Sequence, residues 1–62
     1  MSQDYDMLDK PIDTAIDLIM AGNGISESID AVILENDLTP GETRAIIYFM
    51  AQKGYRYTRR GA

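Results

Sequence analysis

Sixty-two residues with ten acids, six bases, no histidine and no cysteine leave no disulfide and no thiolate metal site. The commonest zinc ligand and the commonest general base are missing too. A chain this short forms one domain and buries only about 60% of the surface that its unfolded form exposes, so self-association is the supplement that the composition leaves open.

The net charge of −4 hides a segregation. Residues 1–42 carry all ten acids and only Lys10, a net −9, whereas residues 43–62 carry Arg44, Lys53, Arg56, Arg59 and Arg60 with no acid, a net +5. That asymmetry points to an interaction tail or to head-to-tail electrostatics between subunits.

Taken in chain order, residues 1–8 are polar and acidic without a clear period. They read as a frayed start from which Tyr5 and Leu8 can dock on a core. Asp9 is placed as the N-cap of a first helix over residues 10–22, with Pro11 tolerated in its first turn. Leu8, Ile12, Ala15, Ile16 and Ile19 follow helical spacing and make one apolar stripe. Asp9, Asp13 and Asp17 stack at i, i+4 and i+8. Paired carboxylates can do acid–base or metal chemistry, but here a solvated face is the simpler reading, and no metal or cofactor is expected. Gly22, Asn23 and Gly24 then break the helix. The stretch has the look of a phosphate loop, yet it follows a helix rather than a strand and lacks the lysine of a P-loop.

A second helix is expected over residues 26–36, capped by Ser26, with Ile25, Ile29, Val32 and Ile33 as its core stripe. Leu34 lies nearly opposite that stripe. After a very short turn the third helix runs over residues 40–53. Its start is the most strongly marked point in the chain: Thr39 and Glu42 form a capping box, and Pro40 occupies the first helical position. Lys53 and Gly54 supply the stop.

On a wheel at about 100° per residue, Ala45, Phe49 and Ile46 share one face of this third helix, with Met50 at its edge. Ile47 and Ala51 point roughly the other way, and Tyr48 fills most of the remaining arc. A helix apolar nearly all round is covered on more than one side. Leu34, Ile47, Tyr48 and Ala51 are therefore the expected dimer interface, in a symmetric pair formed through the third helix.

After Gly54 the chain interleaves Tyr55, Arg56, Tyr57, Arg59 and Arg60. This is expected to be an extended basic and aromatic tail over residues 55–62, suited to an acidic protein surface or to stacking and phosphate contacts with single-stranded nucleic acid. Arg44 and Lys53 extend the same basic set.

These observations predict an all-α fold: one three-helix domain spanning residues 1–62, with the second and third helices joined by a short turn. No apolar run of about 20 residues and no leader signature is present, so a soluble cytoplasmic protein without a membrane partner is expected. No nucleophile–base pair is evident, so an enzyme is not. The expected function is that of a small regulatory or adaptor protein that binds another protein, as a homodimer. The alternative is a helix-turn-helix-like nucleic-acid-binding regulator that uses Arg44 and the basic tail. Against it, Glu35 and Asp37 would repel phosphates beside the only strong base reader.

Overall fold

The structure, a computed structural model, describes residues 8–58. Three helices follow one another: α1 (Asp9–Met20), α2 (Ile25–Glu35) and α3 (Pro40–Gln52). The described residues contain no strand. The all-α, three-helix architecture is thus the one the apolar spacing predicts, with each boundary within two residues of expectation. α1 and α2 share the most extensive contact, and α3 packs against both.

The core is built from one stripe of each helix. Leu8, Ile12 and Ala15 come from α1 and the residue before it, Ile29 and Val32 from α2, and Ile46 and Met50 from α3. Ile16, Ile19, Ile25, Ile33, Leu38 and Phe49 pack around them, half-buried. On α3 the buried face is rotated toward Met50 relative to the face expected from Ala45, Ile46 and Phe49. Ile46 and Met50 stand one turn apart and point to the core together, with Ala45 and Phe49 on one flank and Ile47 on the other. Each long aliphatic side chain gains about 1.5–3 kcal/mol when fully buried, and Ala45 offers much less area to hide.

The three helices start differently. At α3 the Thr39 hydroxyl accepts from the Glu42 N–H at 3.1 Å, and the Glu42 carboxylate accepts from the Thr39 N–H at 2.9 Å. Pro40 opens the helix. At α1 the cap position is Leu8 rather than Asp9, and no side-chain bond closes it. The Leu8 backbone is already helical (φ −84°, ψ −8°) and its side chain is fully buried. Burying a leucine outweighs the ~1 kcal/mol of a typical cap bond, so Asp9 is drawn into the helix. At α2 the cap position is Gly24, in extended conformation, and Ser26 lies inside the first turn. The Glu27 carboxylate folds back over this start: Oε1 lies 3.2 Å from where a Cβ on Gly24 would stand.

All three helices end alike. In each, the second residue past the last turn donates its N–H back to a carbonyl five residues earlier: Asn23 to Leu18 at 3.1 Å, Leu38 to Ile33 at 3.1 Å and Tyr55 to Met50 at 2.8 Å. The preceding N–H bonds three residues back, from Gly22 to Ile19, Asp37 to Leu34 and Gly54 to Ala51. This is the Schellman arrangement, and it needs a left-handed residue at its centre. Gly22 (φ 109°) and Gly54 (φ 96°) supply it without strain, whereas Asp37 (φ 52°) supplies it as an L-residue. Aspartate tolerates that region better than most side chains, at a cost of about 1–2 kcal/mol.

Candidate functional site

After α3 the chain does not leave the domain. Residues 55–58 run back against α2, and three bonds fix them there. The Ser26 hydroxyl donates to the Thr58 carbonyl and accepts from the Thr58 N–H, both at 2.8 Å. The Tyr57 hydroxyl donates to Asp30 Oδ1 at 2.7 Å. Tyr55 and Tyr57 are half-buried and pack on the core cluster. The segment therefore straps α2 to the end of α3.

The strap separates the basic and aromatic residues that the sequence groups together. The two rings face the fold and Arg56 is exposed. Arg56 and Thr58 join Gly24, Ile25, Ser26 and Glu27 around an open hollow of about 380 Å³. Arg59 and Arg60, which belong to the same basic set, lie outside the described residues. Arg44 and Lys53 are exposed on α3 and just beyond it.

The expected interface residues fall on two helices. Leu34 is 84% exposed on α2 and Tyr48 is 61% exposed on α3. Ala51 is also exposed, and Ile47 is half-buried at the flank of the core. The Tyr48 ring meets Phe49 edge-on, with centroids 5.8 Å apart, an arrangement that favours one orientation of the outer ring. Met20, at the end of α1, is a further apolar side chain left in solvent, at 78% exposed.

Asp9, Asp13 and Asp17 are all exposed on α1. Among the described residues no group of three or more acidic side chains stands close enough together to hold a metal ion. A second depression, of about 100 Å³, lies between α1 and α2 beside Leu18, Asn23 and Ala31. Among the described residues no helix is long and apolar enough to cross a membrane.

Sequence reasoning missed the strap. Ser26 reads as a cap because it is a hydroxyl residue before an apolar run, and its actual partner is 32 residues away. The one available signal was the alternation of Tyr55 and Tyr57, which places both rings on the same side of an extended segment. No protein-family model matches the chain, and no curated protein or solved structure matches it significantly.

Proposed function

We propose that this protein works by binding protein, as a small regulatory or adaptor module that pairs with itself. The observation that carries the reading is the exposure of Leu34 and Tyr48, large apolar side chains left in water by a fold whose buried apolar core numbers seven residues among those described. A core of that size contributes little surplus stability, and a second copy would cover what the first cannot. The lack of histidine and cysteine in the whole sequence favours binding over catalysis, and the two hollows described above are open to solvent.

Sedimentation velocity of the full chain from low to high micromolar concentration tests this. A dimer is the expected species. Leu34→Ser and Tyr48→Ser should shift it to monomer while leaving the helical signal intact, because both side chains are exposed in the single chain. A wild type that stays monomeric throughout would remove the homodimer from the reading.

The nucleic-acid alternative keeps some support from Arg44, exposed one turn into α3. Against it stand the exposed Glu35 and Asp37 just upstream and the engagement of both tail rings in the fold. Titration of a labelled single-stranded oligonucleotide at low and at physiological salt separates the two, since phosphate binding weakens steeply with ionic strength.

A further inference from the structure

The exposed faces of α2 and α3 carry opposite charge around matching apolar centres. The exposed residues of α2 are Glu27, Asp30, Ala31, Leu34 and Glu35, without a single base. Those of α3 are Pro40, Gly41, Arg44, Tyr48, Ala51 and Gln52, followed by exposed Lys53, without a single acid. Glu27, Ala31 and Leu34 recur at i, i+4 and i+7 on one helix, and Arg44, Tyr48 and Ala51 at the same spacing on the other, so each set lines one outward stripe. In each the apolar pair is one small and one large residue. Glu35 flanks the C-terminal end of the α2 stripe and Arg44 opens the α3 stripe, whereas Lys53, nine residues beyond Arg44, stands on the opposite side of α3.

From these stripes we infer that the homodimer forms by crossing: α2 of each copy packs on α3 of the other, and α3 does not pair with α3. The inference rests on the homodimer reading and fixes its geometry. Pairing α3 with itself gives Arg44 no exposed acid to meet, and pairing α2 with itself gives its acids no base. Crossing with the two helices antiparallel sets Glu35 against Arg44 and the small Ala31 against the large Tyr48. A two-fold axis then makes the contact twice, since residue i meeting j requires j to meet i. Two helix faces per copy also approach the ~800 Å² per partner of a stable interface more closely than one face does.

A second observation comes from α2 alone. Its last residue is Glu35, and its last turn holds no base. A carboxylate at a helix C-terminus faces the negative end of the dipole. A group that opposes its own helix is commonly held there for a contact outside it, and a base on a second copy is such a contact.

Charge reversal on the full chain tests the inference, with dimer dissociation followed by sedimentation and folding by circular dichroism. Arg44→Glu and Glu35→Lys, made separately, should each weaken the dimer at least tenfold. Both side chains are exposed, and lysine at position 35 suits the helix end better than glutamate does, so helicity should hold. The chain carrying both reversals should recover most of the wild-type affinity, because its acid and base have only exchanged helices. If Glu35→Lys leaves the dimer unchanged, or if the double reversal fails to rescue it, the crossed geometry is wrong while the homodimer stands. If the wild type does not dimerise at high micromolar concentration, both are wrong.

Discussion

Thr39 and Ser26 both stand near the start of a helix with a hydroxyl to offer, and the fold uses them differently. Thr39 closes a box with Glu42 across three residues, entirely within its own turn. Ser26 leaves the opening of α2 to Gly24 and the folded-back Glu27, and spends both its proton and its lone pair on the backbone of Thr58. A cap residue is defined by what its hydroxyl reaches, and the nearest N–H wins only when no better-placed group arrives from elsewhere in the chain. At Ser26 the strap arrives with a donor and an acceptor together, which no single cap bond offers.

The severest way to break this comparison is to end the chain after Gly54. That change removes the half-burial of Tyr55 and Tyr57 and all three bonds to α2, and a loss of about 3 kcal/mol is expected from the buried area and the bonds together. Urea unfolding should show it as a large fall in midpoint. An unchanged midpoint would mean that the strap adds nothing to the fold.

Thr39→Ala comes next, at about 1 kcal/mol. Glu42→Ala made on top of it should add little, since the two bonds form one box. A fully additive double variant would show two independent contacts instead.

Ser26→Ala should cost less, about 0.5–1 kcal/mol, because its partners are exposed and water replaces the bonds. Hydrogen exchange gives the sharper reading. The Thr58 N–H should lose protection while the amides that open α2 keep theirs, and the opposite pattern would restore Ser26 as a cap. Tyr57→Phe should be the smallest change, a few tenths of a kcal/mol, since the bond to Asp30 is exposed and such contacts contribute little. A drop above about 1.5 kcal/mol would place that hydroxyl in a drier site than the structure gives it.

Most of the fold was legible because most of its decisions are local. The stripes at Ile12, Ala15, Ile29, Val32 and Ile46 carry the helical period, and the Thr39 box is written in four consecutive residues. Two local readings failed for one reason. Asp9 and Ser26 were assigned by residue type, and each lost its cap role to an interaction of larger size or longer range: the burial of Leu8 and the arrival of Thr58. The exposed apolar surface proposed for self-association was half legible. Leu34, Tyr48 and Ala51 could be placed outside the core from the wheel alone. That Arg44 shares the outward stripe of α3 with Tyr48 and Ala51 required the burial of Ile46 and Met50 to fix which way α3 is turned.

The strap also sets an order of assembly. Closing the 32 residues between Ser26 and Thr58 in an unstructured chain costs about 3 kcal/mol in entropy before any constant is added, more than the two exposed bonds return. The clamp can therefore close only once α1, α2 and α3 have brought its ends together, when residues 55–58 alone remain to be ordered. It belongs on the native side of the folding barrier. Ser26→Ala should accordingly speed unfolding and leave the refolding rate unchanged in stopped-flow chevrons. A slowed refolding limb would instead place the strap in the nucleus.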